Sequence, residues 1–261
     1  MNKSIIRIGP AGVGPTKDII RNLEEYSKLN LKAAEIEFTY TIYISEKDTK
    51  EIRECAQKNN IKLSIHAPYF INLNSEDPEK IESSKKRILH CCEIGNLLGA
   101  KQIVFHSGFY SKNKPKETYE NIKMAILEIQ DTIKKNKWDV ELAPEIMGKI
   151  NVFGSIDEIS KLTKETGCSF TIDFAHILAR YKENMLNEVI ESFPQKNWHC
   201  HFSGIEYTEK GEKKHIPTNN NDWKNLLSVL LNLDKKITII NESPIPIDDA
   251  INGVRILEKI S

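Results

Sequence analysis

Eight side chains of metal-ligand type mark this chain: His66, His106, Glu145, Asp173, His176, His201, His215 and Glu242. Most stand at or just after the end of a short β-branched, apolar run. The runs read KLSIHAPY, KQIVFHSG, DVELAPEI, SFTIDFAH, NWHCHFSG and KITIINES. Imidazole and carboxylate donors without thiolate suit Zn²⁺, with Mn²⁺ or Fe²⁺ also compatible. The set exceeds what one ion takes. At about four ligands per zinc, with Glu145 shared, it suffices for two or three ions. Two-metal sites usually serve displacement at a phosphoryl oxygen.

Each residue alone has a plainer explanation. His66 reads as a hydrogen-bonded histidine at a strand end, but His106 repeats that placement on the next strand. Glu145 follows Pro144, and Glu242 precedes Ser243-Pro244, so rigid backbone flanks both. A carboxylate there either binds a cation or pairs with a loop lysine, because an unpaired buried charge is costly. Asp173 is a candidate helix N-cap, and His176 lies one turn later, so the two can reach different metals. Alternation puts His199 and His201 on one strand face. His201, nearer the strand end, is the expected ligand, and His199 belongs to a deeper layer of the barrel. Cys200 points the other way and reads as an inert buried thiol. His215, in EYTEKGEKKHIP, is a surface histidine unless His176 is near enough to pair with it.

The elements that must position these side chains alternate along the chain. Strands are expected at Ser4–Gly9, Ala33–Phe38, Lys62–His66, Lys101–His106, Asp139–Glu145, Ser169–Asp173, Trp198–Phe202 and Lys236–Asn241. Helices fall between them, over about Pro15–Leu29, from Ser45, over Asp77–Leu98, Glu117–Lys135 and Ser155–Gly167, over Asn184–Phe193 and Trp223–Leu233, and from Asp248. Asp77-Pro78 is a cap followed by a first-turn proline. Ser155 and Glu158 form a capping box, and Gly99 and Gly167 close their helices. Residues 203–222 read as a long polar loop. Continuous apolar strands are those buried on both faces. The reading is α/β, a single (β/α)8 TIM barrel over residues 1–261, with the site at the C-terminal ends of the strands. A doubly wound open sheet would gather ligands mainly at one switch point, whereas here six strand ends carry them.

The length of 261 residues suits one such barrel. The 37 basic and 37 acidic residues cancel, which argues against indiscriminate coating of nucleic acid or membrane but not against a locally basic site. Five cysteines without a C-x-x-C pair read as free thiols in a reducing compartment. No apolar run approaches a membrane span, and the opening IIRIG is too short and too charged for a signal peptide. A cytoplasmic monomer that does not engage membranes is expected.

The segments HAPYFINL, VFHSG, PEIMGK, TIDFAH, HCHFSGIEY, GEKKHIP and NESP resemble, in order and spacing, the signature segments of the endonuclease IV family. The resemblance runs from about residue 60 to 245. It implies a barrel with a trinuclear zinc centre that cleaves the phosphodiester 5′ to an abasic site in double-stranded DNA and leaves a 3′-hydroxyl. By position His66 and His106 match ligands of one zinc, and Glu145 matches the bridging carboxylate. Asp173, His201 and Glu242 match ligands of a second, and His176 and His215 of a third. Well-known members of the family carry an aspartate two residues before the histidine matching His215. Here that position is Lys213, and Glu212 is one step out of register. The third ion is therefore held with Glu212, held weakly, or absent.

The expected mechanism places the scissile phosphate across the metals, with Glu145 at the catalytic centre. The metals lower the pKa of a bridging water so that hydroxide exists near neutral pH. The loops on the same face supply Lys112, Lys114, Lys116, Lys149, Arg180 and Lys182 for phosphate contacts. Tyr69 in the HAPY segment is the expected prop beside a flipped-out nucleotide. Tyr69 and Lys149 are thus the substrate-binding candidates. The main rival is a sugar isomerase or epimerase with one metal held by Glu145, Asp173, His201 and Glu242. It leaves the other four histidines without a common purpose. A non-catalytic protein with a decayed site is a third reading, disfavoured by eight intact donors.

Overall fold

The strand runs and the helical periods alternate, and a parallel sheet closed on itself follows from that alternation. The structure, a computed structural model, describes residues 3–261. Eight parallel strands form the wall: β1 (Ile5–Pro10), β2 (Ala33–Glu37), β3 (Lys62–His66), β4 (Gln102–Phe105), β5 (Glu141–Pro144), β6 (Thr171–Asp173), β7 (Asn197–Phe202) and β10 (Lys236–Asn241). They pair as two four-stranded arcs, β1-β10-β7-β6 and β2-β3-β4-β5. Single bridges between Ala11 and Glu35 and between Glu145 and Thr171 join the arcs into a ring. Gly9 is required at the first seam. A Cβ there would lie 1.7 Å from the carbonyl oxygen of Ala33, so only glycine lets β1 close on β2. The fold is a (β/α)8 TIM barrel.

The helices are α1 (Ile19–Lys28), α2 (Glu46–Lys58), α3 (Pro78–Leu98), α4 (Pro115–Asn136), α5 (Ile156–Thr166), α6 (Phe174–Tyr181), α7 (Leu186–Ser192), α8 (Asn220–Leu230) and α9 (Pro246–Ile260). Their ends follow the sequence signals. Asp77 accepts from the Glu79 amide, Ser155 and Glu158 form the reciprocal capping box, and Gly99 and Gly167 end α3 and α5 in the left-handed region. The hydrophobic core lies between helices and wall, where outward strand residues such as Ile36, Ile65, Trp198 and Ile239 are fully buried. The period of two turns the alternate residues inward. Glu35 on β2 touches His199 on β7 although these strands are not neighbours, which is possible only across the lumen.

Two segments differ from the sequence reading. The expected loop after β7 contains an antiparallel hairpin, β8 (Gly204–Thr208) and β9 (Gly211–Ile216). Helix α6 also begins directly after Asp173, ahead of α7, where only one later helix was expected.

Candidate metal centre

The parallel strands end at a common rim, so whatever their last residues carry must meet there. His66 and Asp173 are terminal residues of β3 and β6, and His201 is the penultimate residue of β7. His106, Glu145 and Glu242 follow β4, β5 and β10 directly. Six of the eight sequence-predicted donors line one cavity of about 500 Å³ at this rim, and Asp173 and His201 gather with Glu145 and Glu242.

Glu145 is the hub. Its Oε2 lies 2.9 Å from His106 Nε2 and 3.4 Å from His66 Nε2. Its Oε1 lies 3.1 Å from His201 Nδ1 and 3.3 Å from His176 Nδ1. Glu242 Oε1 also lies 3.1 Å from His201 Nδ1. Donor atoms gather into a His66–His106–Glu145 group and a Glu145–Asp173–His201–Glu242 group, with Glu145 common to both. A third group is His176, Glu212 and His215. Asp173 serves two purposes through different oxygens. Its Oδ1 accepts from the His176 amide at 2.8 Å and caps α6, while its buried Oδ2 faces the cluster with no hydrogen-bond partner.

Glu212 reaches His176, with Oε2 3.4 Å from Nε2, by way of a β-bulge. In the hairpin Glu206 opposes Lys214 and Tyr207 opposes Glu212, so Lys213 is the extra residue. In a regular strand residues three apart face opposite ways. One bulged residue reverses the alternation and returns Glu212 to the side of His215. The turn is seated by Gly211, at φ 97°, whose missing Cβ would meet the Gly148 carbonyl oxygen at 2.1 Å. The register mismatch at Lys213 is thus absorbed by the hairpin.

Sequence reasoning missed the contribution of β2. Glu35 is fully buried and Glu37 lines the cavity, and both lie within donor reach of Glu242. The signal was present in AAEIEF: apolar Ile36 and Phe38 face outward, so the glutamates between them must face the lumen. His199 sits in the deeper layer, as the strand alternation implies, with Nε2 2.9 Å from Glu35 Oε2. Tyr69 is half-exposed, its ring 5.8 Å from His66 and 5.6 Å from His106, and exposed Lys149 also lines the cavity. Two other basic residues are committed elsewhere. Arg180 donates to the carbonyls of Met147, Lys149 and Val152, fixing the loop after β5. Lys182 donates to the carbonyls of Ala179 and Thr208 and lies over the Tyr207 ring, pinning the hairpin. His90, the remaining histidine, is exposed on α3.

The electrostatics are those of a cation site. Burial raises Glu37, Glu145, Asp173 and Glu242, and the neighbouring imidazoles oppose it with different success. For Glu145 burial is more than offset by His201, His106 and His176, which hold it well below the ordinary range. For Glu242 burial is overcome chiefly by His201, leaving it at about 2. Burial wins at Glu37, raised to about 8, and at Asp173, raised to about 7. Burial lowers His66, but the hydrogen bond to Glu145 and the charge of Glu37 lift it to about 10. His176 and His201 are carried well above the usual imidazole value against burial, chiefly by Asp173 and Glu242 respectively. Burial lowers His215.

Two observations fit this donor set to metal ions. Glu37 Oε1 and Asp173 Oδ2 are buried without hydrogen-bond partners, which is costly unless something else satisfies them. The inter-donor spacings of 2.9–3.4 Å also bracket the edge of about 3.3–3.4 Å of a tetrahedron with bonds of ~2.0–2.1 Å.

Residues 23–260 match the family described as xylose isomerase-like TIM barrel. The chain belongs to that family. An uncharacterized protein of Methanocaldococcus jannaschii is 37% identical over 96% of this chain and 97% of its own. A probable endonuclease 4 of Mycoplasma genitalium is 29% identical over 40% of this chain and 35% of its own. Endonuclease IV from Thermus thermophilus shares the fold, with TM-score 0.74 and 20% identity over 98% of each chain. D-psicose 3-epimerase from Clostridium cellulolyticum shares it too, with TM-score 0.71 and 14% identity over 100% of this chain and 99% of its own. The resemblance to endonuclease IV read from the segments is supported by a sequence relative over part of the chain, while the fold is common to endonuclease IV and to the epimerase.

Proposed function

We propose that this protein is a metal-dependent abasic-site endonuclease of base-excision DNA repair. It hydrolyses the phosphodiester 5′ to an abasic site in double-stranded DNA and leaves a 3′-hydroxyl. The observation that carries this reading is Glu145, which belongs at once to two donor groups and touches a member of the third. A carboxylate so shared is what a multinuclear phosphodiesterase needs. A one-metal isomerase would use Glu145, Asp173, His201 and Glu242 and leave His66, His106, His176 and His215 idle.

Zn²⁺ is the preferred ion, with Mn²⁺ or Fe²⁺ as substitutes, since the donors are imidazole and carboxylate and Cys200 faces the outer core. His66, His106 and Glu145 would hold one ion, Glu145, Asp173, His201 and Glu242 a second, and His176, Glu212 and His215 a third. When bound, such ions neutralise a phosphodiester and supply a water activated near neutral pH. Glu145 acts as the catalytic centrepiece because it fixes the spacing of the groups around it. Lys149 at the cavity edge takes a flanking phosphate, and Tyr69 stands where a flipped-out sugar would enter. The protein acts as a monomer in the cytoplasm, and the unpaired cysteines suit that reducing compartment. Among the described residues no helix is long and apolar enough to cross a membrane.

The deciding experiment incubates the protein with a duplex carrying one abasic analogue and measures bound metal on the same sample. Incision 5′ to the lesion with two or three ions per chain is expected. One ion per chain, no incision and epimerisation of a ketose would replace this reading with the isomerase one.

A further inference from the structure

We propose that Glu35 fixes the ring of His201 from behind, so that His201 offers Nδ1, and not Nε2, to a metal ion. The inference rests on the reading of Glu145, Asp173, His201 and Glu242 as one ion's donors. It adds a positioning layer beneath them, built from β2, β3 and β7.

Both residues are fully buried in the lumen. The two oxygens of Glu35 have different surroundings. Oε2 accepts from Ser64 Oγ at 2.6 Å and faces His199 Nε2 at 2.9 Å. Oε1 has no hydrogen-bond partner, and it lies 2.8 Å from His201 Nε2, which has none either. The approach is oblique and falls short of hydrogen-bond geometry, yet each atom is the other's close polar neighbour. On the far side of the same ring, Nδ1 lies 3.1 Å from Glu145 Oε1 and 3.1 Å from Glu242 Oε1.

A bound ion displaces one of the ring protons of His201, and the neutral imidazole that remains carries one N–H. With the proton on Nδ1, the Nε2 lone pair would face a carboxylate oxygen in a dry lumen, an acceptor against an acceptor. With the proton on Nε2, the same approach becomes donor to acceptor. The Nδ1 lone pair then points at two further carboxylate oxygens, a convergence that a cation reconciles. Metal-ligating histidines commonly give their other N–H to a carboxylate, which fixes ring and tautomer. Ser64 and His199 complete the device by occupying Oε2, so Glu35 cannot turn away from His201.

The test uses the full-length protein, labelled with ¹⁵N and loaded with ¹¹³Cd²⁺. Long-range ¹H–¹⁵N spectra are expected to place the His201 proton on Nε2 and cadmium coupling on Nδ1. Coupling through Nε2 would overturn the proposal while leaving a metal centre intact. No coupling at His201 would overturn both. Two variants add a thermodynamic arm. Glu35→Leu removes the acceptor at similar size, and it should weaken one ion's affinity by roughly 10–100-fold while the ion of His176, Glu212 and His215 is unchanged. Glu35→Gln can still turn a carbonyl oxygen to Nε2 and should restore most of the loss. Wild-type affinity in Glu35→Leu would contradict the proposal, and the spectrum of the unmodified protein decides the matter even if that variant does not fold.

Discussion

Glu145 meets His66, His106, His176 and His201 within 3.4 Å, two on each oxygen. Replacing it with glutamine keeps the shape but removes the charge that the groups share. Outer partners of metal ligands cost roughly 10–100-fold, and a direct donor costs at least as much. Glu145→Gln should therefore lose incision by that factor or more and bind fewer ions, with incision rates and metal content measured together. Glu212→Ala should act more narrowly, removing one ion per chain and leaving the other groups filled. Unchanged stoichiometry would show that Glu212 is no ligand. At this scale the chain was legible where a polar residue ends an apolar run, as at His66, His106 and Asp173. It was opaque at Glu35 and Glu37, because a strand that carries two inward carboxylates within AAEIEF reads first as a core strand. The alternation with Ile36 and Phe38 turns them inward, but only the ring closure shows that they meet Glu242 there.

The hairpin β8–β9 brings Glu212 and His215 to the site from outside the barrel wall, as α6 brings His176. Its sequence, GIEYT and GEKKHI, lacks the apolar alternation that announces a strand, since neither face enters the hydrophobic core. What fixes it is local: Gly211 seated on Gly148, and Lys182 anchored on the Thr208 carbonyl. The bulge at Lys213 makes a sharp prediction. Deleting Lys213 puts Glu212 two residues before His215, where regular alternation already places both on one side. The deletion variant should keep its full complement of ions, whereas Gly211→Ala, which forces the turn away from Gly148, should lose the one held by the hairpin. Metal analysis on the two purified variants distinguishes these outcomes, and loss of an ion on deletion would count against the bulge account. Helix α6 was hidden for a related reason. Its eight residues, FAHILARY, start on Asp173, whose role as a strand end concealed its role as a cap.

For the molecule as a whole, the site stores protons when no metal is bound. His66 has its value raised from 6.5 to about 10, so its contribution to stability is complete below 6.5 and is lost as pH rises through about 10. Glu37 and Asp173, raised to about 8 and about 7, lose their contribution in the same direction, from their ordinary values upward. Glu242, brought from 4.5 to about 2, works the other way: its contribution is complete above 4.5 and is lost as pH falls towards about 2. The Tm of chelator-treated protein should therefore fall as pH rises from about 6.5 towards 10, and metal should remove most of that slope by displacing the protons. Thermal unfolding with and without chelator across that range tests this, and a level Tm in the chelated protein would contradict it. Loading with metal should likewise acidify a weakly buffered solution. The barrel itself was legible from end to end, because buried parallel strands and capped helices leave repeated local signals. The meeting of side chains some 180 positions apart was not local, and followed only from closure. That closure has a mechanical corollary. Each seam between the two arcs is held by little more than a lone bridge, while the donors come from both arcs: His66, His106 and Glu145 from one, Asp173, His201 and Glu242 from the other. Ions bound there would clasp the cylinder shut, and stripping them should quicken amide exchange first along the joins at Gly12 and Ile146, well before the helices loosen.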